Sequence, residues 1–385
     1  MFKFDFDIED EDGISDTSSQ PVQPTAESDR DERPFVEHSL AKMIENLADE
    51  ISYSSVQAGG LCIPRRDLFD VRMQLISAEG GRPNEAVDAQ TAIDFIERPS
   101  DLVPRVYEGG LKTWECSIDL AAYLAREGYD ARGKRVLELG CGTSMPTLAL
   151  LHHLFNRPPL ADDGPITTIH LQDYNASVLE YVTLPNIVLA WFFSSAGQKF
   201  RSTVPPPPPK DPIKRMSKLQ LDSVPEEDEE TDARLDVPAM DVSCHVVDPS
   251  IPGDLSISLE LRAAFLASLK ALKIDIRLFS GPWSQFRSRI STPYDLVLTS
   301  ETIYQPASLR SLVQLLRDGS GSGDCLVAAK LVYFGVGGGI LEFQRTLGEV
   351  DFNGRAETVW EHKEGVGRVY VRMMAVKDLE KLYSR

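Results

Sequence analysis

Beyond residue 101, short apolar runs alternate along the chain with longer segments in which apolar residues recur at helical spacing. Seven of these runs predict strands, at 134–140, 166–173, 273–281, 294–301, 323–331, 355–362 and 367–376. Helical spacing predicts helices at 111–127, 146–155, 175–193, 308–318 and 339–349, the third with a break at Pro185. Strands that alternate with helices indicate an α/β fold with a mostly parallel, doubly wound sheet. The short KEGVG turn between the last two strands predicts an antiparallel hairpin at the sheet edge.

The same patterns divide the chain into an arm and a domain. Residues 1–100 form an acidic N-terminal arm that we expect to be partly disordered, with one short amphipathic helix over 35–52. The opening FKFDFDI alternates apolar and charged residues, as an edge strand does, but a loose tail is favoured. Residues 101–385 form the domain. Within it the alternation fails at 195–268, where polyproline and acidic runs predict a long low-complexity insertion.

Charge limits the class of partner. The net charge is −19, and the first fifty residues contain 15 acidic and 4 basic residues. Nucleic acid is therefore an unexpected direct partner, because phosphate binding needs a basic surface. The negative electrostatic potential of such a chain suits a basic protein substrate, although solvated acidic segments explain the same charge.

Other composition features exclude further classes of function. Five scattered cysteines without a CxxC pair, and six histidines without ligand spacing, indicate reduced thiols in an intracellular protein and no metal site. No apolar run is long enough for a membrane span, and the N-terminus lacks the apolar core of a signal peptide. A monomer is the default expectation.

The sequence ELGCGTS follows the first strand and carries the candidate chemistry. Gly140 and Gly142 allow a tight turn and a close approach of backbone to ligand. A dinucleotide site repeats glycine in a third position, where this chain has Met145, so a pyrophosphate would be crowded. Glu138 precedes the first glycine, and Asp173 ends the next strand, where a ribose diol is held in such folds. A tight strand-to-helix turn without a ligand explains the glycines equally.

ExGxG after a strand, with an acid ending the second strand, resembles the S-adenosylmethionine-dependent methyltransferases of the seven-strand, Rossmann-like class I fold. The segments YEGGLKTWECSIDLAAYL, LQDYN, VTLPN, TSETIY and AKLVYFGVGGG together resemble one family, the protein-histidine N-methyltransferases directed at a large-subunit ribosomal protein, of the L-three type. The resemblance runs from about residue 101 to the C-terminus and excludes the insertion. It implies S-adenosylmethionine as cofactor, a basic ribosomal protein as substrate, and a location in cytoplasm and nucleus.

The loop and the resemblance together assign cofactor binding to Trp114, Glu138, Gly140, Cys141, Gly142, Asp173, Tyr174, Asn175, Trp283, Thr299 and Ser300. Glu301 and Tyr304, in an ExxY spacing like the DxxY motif of protein-directed members, become the candidate catalytic residues on the substrate side. We expect Trp114 to share one helical face with Leu111 and Ile118, so core packing explains it as well as cofactor contact does.

The mechanism follows from the nucleophile. A neutral imidazole, with pKa of about 6.5, already has a free lone pair at pH 7, so the enzyme needs a group that selects the tautomer more than a strong base. Glu301, or a group on the substrate, is our hypothesis for that acceptor. A lysine methyltransferase, a non-catalytic escort of a ribosomal protein, and, last, a dinucleotide oxidoreductase are the alternatives.

Overall fold

The computed structural model describes residues 34–78, 109–159, 164–203, 248–333, 337–350, 356–362 and 367–373. The elements of the first part are β1 (Val36–His38), α1 (Leu40–Glu45), β2 (Glu50–Ala58), β3 (Leu61–Arg66), α2 (Leu68–Ala78), α3 (Glu115–Arg126), β4 (Arg135–Leu139), α4 (Met145–Phe155) and β5 (Thr167–Asp173). Next come α5 (Ala176–Val178), a π-helical turn (Leu179–Thr183), α6 (Leu184–Phe192), α7 (Ser195–Arg201), β6 (Gly253–Ser256), α8 (Leu259–Ala271) and β7 (Ile274–Ser280). The chain continues with α9 (Trp283–Arg287), β8 (Leu296–Ser300), α10 (Pro306–Ser320), β9 (Asp324–Lys330), α11 (Ile340–Val350), β10 (Ala356–His362) and β11 (Arg368–Met373).

The main sheet has eight strands in the order β1-β7-β5-β4-β8-β9-β11-β10. The five inner strands from β7 to β9 are parallel, and β10 and β11 form an antiparallel hairpin at one edge. This confirms the α/β class, the mostly parallel sheet and the C-terminal hairpin. The eighth strand, β1, was not predicted: it pairs antiparallel with β7 at the other edge.

The central strands are apolar because helices cover both faces of the sheet. All five residues of β8 are buried, as are four of the five residues of β4. One core lies between the sheet and the helices α3, α4, α6 and α8, and a second lies between the sheet and α10 and α11. Parallel strands end at one edge, so the residues after β4, β5, β7 and β8 come together there.

The predicted helix over 35–52 is too long. Only α1 is helical, and it lies between β1 and β2. Ile44 and Leu47 are buried as helical spacing requires, but Ile51 is buried from a strand, so its place in the pattern was a coincidence. These residues are part of the folded body: β1 extends the main sheet, and β2 joins β3 and β6 in a second, three-stranded sheet.

The predicted insertion at 195–268 is also too long. α7 begins at Ser195, β6 pairs with β2 across some two hundred residues of sequence, and α8 covers the main sheet. Local patterns could not reveal β6, because its partner strand lies so far away in the chain. Residues 204–247, which include the proline-rich and acidic runs, lie outside the described residues, as does the opening FKFDFDI.

No break occurs at Pro185, contrary to the prediction. The helix runs from α5 through the π-helical turn into α6, and Pro185 lies in the first turn of α6. A proline cannot donate to the carbonyl four residues earlier, here that of Tyr181. Arg66 of β3 supplies the missing donor, with its Nη1 3.0 Å from the Tyr181 carbonyl oxygen. The π turn and this arginine let the helix continue past a proline.

Across the described ranges, no single helix is long and apolar enough to cross a membrane. A pair of helices, Ala176–Phe192 and Ser195–Arg201, meets the length and composition criteria only when taken together, with a 77° bend between them.

Candidate active site

The turn between β4 and α4 has a backbone that few side chains permit. Gly140 and Gly142 have φ of +59° and +50°, and Ser144 follows with φ of +57°. A Cβ on Gly140 would lie 2.5 Å from Cγ2 of Thr302, and one on Gly142 would lie 3.2 Å from the Gly110 carbonyl oxygen. Both glycines are therefore required by the left-handed backbone and by close neighbours, as a loop that approaches a ligand also requires.

Asp173, the last residue of β5, is tied to this glycine loop. Its Oδ2 accepts from the Gly142 N–H at 2.9 Å, and its Oδ1 accepts from the Asn175 N–H at 3.1 Å. The Asn175 side chain donates to the Gly109 carbonyl at 3.2 Å. Asp173 is 5% exposed. A buried carboxylate is stable only when it is hydrogen-bonded, and here backbone donors meet that need at the edge of the cleft.

Gln172 connects three parts of the site, and the sequence argument did not single it out. Its Oε1 accepts from the indole Nε1 of Trp283 at 2.8 Å and from the Gly140 N–H at 3.4 Å. Its amide nitrogen donates to the Gly281 carbonyl at 2.7 Å. Trp283 is thereby fixed beside the glycine loop; its contact with an adenine stays a prediction. Tyr174 lies at the same corner, where its carbonyl accepts from the Gly281 N–H at 3.2 Å.

Glu138 lies buried beneath the loop. Its Oε2 accepts from the Thr147 N–H at 3.1 Å and from the Thr147 hydroxyl, whereas its Oε1 has no hydrogen-bond partner among the described residues. Burial raises the pKa of Glu138 to about 8; the bonds from Thr147 oppose this shift, and the charge of Asp173 adds to it. Burial therefore favours the protonated carboxyl, and a cation placed nearby would favour its ionised form.

Polar residues of the π-helical turn and of α6 bond the backbone of the glycine loop. The Thr183 hydroxyl donates to the Gly142 carbonyl at 2.6 Å, and the Asn186 amide donates to the Thr143 carbonyl at 3.0 Å. Asn186 Oδ1 in turn accepts from the Arg66 N–H at 2.7 Å. The segment VTLPN, one of the motifs of the family resemblance, contains both Thr183 and Asn186, but the motif alone assigned no role to either residue.

Several predicted cofactor residues have structural tasks in the same place. Cys141 donates its backbone N–H to the Gln172 carbonyl at 2.9 Å, and its buried thiol has a pKa raised by burial and by nearby Asp173 and Glu138. The Thr299 hydroxyl donates to the Leu139 carbonyl at 2.9 Å, which joins the ends of β8 and β4. Ser300 is 8% exposed at the end of β8. These residues lie at the carboxyl ends of β4 and β8, beside the glycine loop.

A second cluster follows β8, around Glu301. The backbone of Glu301 is left-handed, with φ of +57°, a conformation that costs free energy in a non-glycine residue. Its Oε2 accepts from the Tyr333 hydroxyl at 2.7 Å, and its Oε1 accepts from the Cys116 N–H at 3.3 Å. Lys330 Nζ lies 3.8 Å from Oε1, and 7% of the Glu301 side chain is exposed. The carboxylate is thus held on both oxygens.

Lys330 and Tyr333 are the residues of this cluster that sequence reasoning missed. Burial alone would lower the pKa of Lys330, but Glu301 and Glu115, the latter 3.2 Å from Nζ, outweigh it and raise the pKa. Burial and the charge of Glu301 raise the pKa of Tyr333 well above its ordinary value, so the phenol stays a donor. Tyr304 packs against the Tyr333 ring, with centroids 6.3 Å apart.

Trp114 lies in this second cluster, where Lys330 Nζ is 5.2 Å from the centre of its ring. The prediction that it occupies a helical face is wrong, because α3 begins at Glu115 and Trp114 is the extended N-cap residue. The irregular segment from Gly110 to Trp114 links the two clusters: Gly110 contacts the glycine loop, and the Cys116 N–H bonds Glu301. The predicted residues are thus gathered along one sheet edge in two adjoining groups.

No group of three His, Cys, Asp or Glu residues within the described part of the chain is arranged to hold a metal ion.

No protein-family model matches the chain. Histidine protein methyltransferase 1 of Schizosaccharomyces pombe is 30% identical to it over 342 residues, which cover 86% of this chain and 83% of that protein. The protein of the same name from Saccharomyces cerevisiae is 31% identical over 334 residues, covering 82% and 77% respectively. Among solved structures, the rRNA methyltransferase aviRa from Streptomyces viridochromogenes matches with a TM-score of 0.34 and 15% identity, over 72% of this chain and 90% of that one.

Proposed function

Because this chain belongs to the histidine protein methyltransferase family, we propose that it transfers a methyl group to a histidine side chain of a large-subunit ribosomal protein. The family predicted from the motifs is confirmed by the two yeast relatives. The protein is a protein-histidine methyltransferase with S-adenosylmethionine as its cofactor. The lysine, escort and oxidoreductase alternatives therefore lose their support.

The observation that carries the proposal is the pairing of a left-handed glycine loop with carboxyl groups on two sides. Asp173 is bonded to the loop itself, and Glu138 has an unpartnered oxygen beneath it. Acidic groups suit a cofactor with a positively charged sulfonium and ammonium. Gly140, Gly142 and Asp173 would hold its polar parts, and Trp283, fixed by Gln172, would border the adenine.

The cofactor supplies an activated methyl group when bound, so the protein's own residues have to bind, orient and exclude water. Alignment of the acceptor nitrogen with the methyl group is worth roughly 7–11 kcal/mol of barrier in favourable cases. The target imidazole, with pKa of about 6.5, is mostly neutral at pH 7 and needs no strong base. Selecting which ring nitrogen keeps its proton is the remaining task.

Glu301 is our candidate for that task, with Tyr304 beside it. Each carboxylate oxygen accepts two hydrogen bonds, and the described residues occupy one position on Oε2 and one on Oε1, so lone pairs remain for a substrate N–H. The bonds from Tyr333 and Cys116 fix the direction of those lone pairs. Tyr304, half-buried at the end of the ExxY sequence, packs against the Tyr333 ring that bonds Glu301.

A basic ribosomal protein suits the charge of this chain. The net charge of −19 would attract a cationic protein and accelerate encounter at low salt. We place the enzyme in the cytoplasm and nucleus, where such a protein is made and assembled, and we expect it to act as a monomer.

Incubation of the protein with isotope-labelled cofactor and extract from cells that lack the enzyme tests the proposal. We expect label on one histidine of a large-subunit ribosomal protein, mapped by peptide mass spectrometry. Asp173→Ala serves as the inactive control, and Asp275→Asn, an exposed β7 residue away from the cleft, as the matched active control. Label on a lysine, or on a protein outside the large subunit, would contradict the assignment.

A further inference from the structure

A cavity lies away from the glycine loop, on the sheet face that carries α9. Its volume is about 300 Å³, and it lies between the main sheet and the loop after α9. The side chains that matter here are Arg135, His170, Arg277, Phe279, Arg289 and Tyr294. His170 stands three residues before Asp173 on β5, a separation on the order of 10 Å along a strand. The cavity is therefore distinct from the glycine loop.

Positive charge in this cavity exceeds negative charge. Of the three arginines, Arg277 is paired with Glu37, whose Oε1 lies 2.8 Å from Nε. Arg135 and Arg289 have no carboxylate within 4.0 Å in the described ranges. Asp295 accepts from the backbone N–H of Arg135 at 2.8 Å, and Nη2 of the Arg135 guanidinium donates to the Thr292 carbonyl at 3.4 Å. A net positive site of about two charges is unexpected in a chain whose total is −19.

His170 adds an unsatisfied polar atom to the cavity wall. The residue is 5% exposed; its Nδ1 lies 2.7 Å from the Tyr294 hydroxyl, and its Nε2 has no hydrogen-bond partner among the described residues. The buried Nε of Arg135 is unpartnered in the same way. A buried polar atom left without a partner costs free energy that a ligand would recover.

Aromatic rings and guanidinium groups together form the walls of the cavity. The ring centres of Phe279 and Phe286 lie 5.1 Å apart, and the Arg135 guanidinium lies 5.1 Å from the centre of the Tyr294 ring. Arg277 lies over the Phe279 ring, so polar groups form most of the lining and apolar side chains a smaller part. A volume of about 300 Å³ is at the small end of ligand pockets and exceeds the size of a bare oxyanion.

We infer that this cavity binds a phosphate monoester of a small molecule, with Arg135 and Arg289 on the phosphate and His170 Nε2 as a further contact. Guanidinium groups bind phosphate oxygens in pairs, with planar, two-point geometry. A phosphate monoester has close to two negative charges near pH 7, which matches the two arginines that lack a carboxylate partner. A carboxylate ligand has one negative charge and would leave one arginine charge unbalanced. The remaining volume takes the organic group.

Calorimetric titration of the full-length protein tests this inference without an activity assay. The probes are phenyl phosphate, phenol as its unphosphorylated control, inorganic phosphate and a short single-stranded RNA, each with the cofactor site saturated with S-adenosylhomocysteine. We expect phenyl phosphate to bind more tightly than inorganic phosphate and phenol not to bind. The ¹⁵N resonance of His170 Nε2 should shift on binding.

Variants locate the site. Arg289→Gln changes an exposed side chain and should weaken phenyl phosphate binding about tenfold or more, as should Arg135→Gln, because each loses a charged hydrogen bond. Arg310→Gln removes an exposed arginine from α10 and is the matched control. Equal binding of phenol and phenyl phosphate, equal loss in Arg310→Gln, or binding of RNA alone would overturn the inference.

Discussion

The replacement Glu301→Gln tests the substrate side of the site. In the protein, Glu301 accepts from Tyr333 at 2.7 Å and from the Cys116 N–H at 3.3 Å, with Lys330 3.8 Å away. A glutamine keeps one acceptor oxygen and places an NH₂ group against donors on the other side. A buried hydrogen bond to a charged group contributes about 1.5–3 kcal/mol, so we expect the free energy of unfolding to fall by about 2–3 kcal/mol.

Activity should fall further than stability explains. If Glu301 accepts the imidazole N–H and so selects the tautomer, kcat/KM for methyl transfer should fall about 10²-fold, at the low end for positioned acid–base groups. Initial rates with labelled cofactor and purified substrate, taken at a temperature where urea unfolding shows the variant to be folded, measure this. An unchanged kcat/KM in the folded variant would refute the orienting role of Glu301.

Tyr333→Phe is the matched control. It removes the same 2.7 Å hydrogen bond from Glu301 but leaves the carboxylate charge in place. We expect a similar loss of stability and a much smaller loss of kcat/KM than in Glu301→Gln. Equal losses of kcat/KM in the two variants would mean that Glu301 serves only to hold together the segments that carry Cys116 and Tyr333.

Three further predictions concern the cofactor side. The folded-state pKa of Glu138, about 8, lies above its ordinary 4.5, so the stability that it contributes is full below pH 4.5 and is lost as the pH rises through 8. In the parent protein the free energy of unfolding should therefore fall by roughly 3 kcal/mol between pH 5 and pH 8, and in Glu138→Gln this fall should disappear. Urea unfolding measures it, and the same pH slope in both proteins would exclude Glu138 as the cause. Gly142→Ala places a Cβ 3.2 Å from the Gly110 carbonyl oxygen at a residue with φ of +50°, so it should lower the free energy of unfolding by about 1–2 kcal/mol. Thermal unfolding measures this loss, and a stability equal to that of the parent protein would show that the loop has relaxed. Asp173→Asn replaces one acceptor oxygen by a donor that faces the Gly142 or Asn175 N–H, so it should weaken cofactor binding about tenfold or more. Calorimetry measures the affinity, and an unchanged value would show that Asp173 does not contribute to cofactor binding.

Local pattern was sufficient where a feature depends on neighbours in sequence. The apolar runs of β4, β5 and β8 are buried on both faces, and Gly140 and Gly142 have the left-handed backbone that their loop demands. Those features follow from composition within a few residues, so the class of fold and one half of the site were predictable.

The failures arise from contacts between distant segments. β6 is a strand because β2 lies beside it, and Ile51 is buried in a sheet although its spacing suits a helix. Gln172 and Tyr333 hold functional residues through side-chain bonds to partners 111 and 32 positions away. No periodicity records such a partner, so residues of this kind are found only once the strands are placed.

The arginine that takes the place of the missing Pro185 donor has a consequence for any shortened form of the enzyme. Arg66 bonds the Tyr181 carbonyl and, through its N–H, the Asn186 side chain that reaches the Thr143 carbonyl. A polypeptide starting near residue 100 would retain every proposed catalytic and cofactor residue yet lose the support behind the glycine turn. Because Arg66 lies in β3 and β3 pairs with β2, the smallest active fragment should begin before β2, well ahead of the first segment that resembles a methyltransferase.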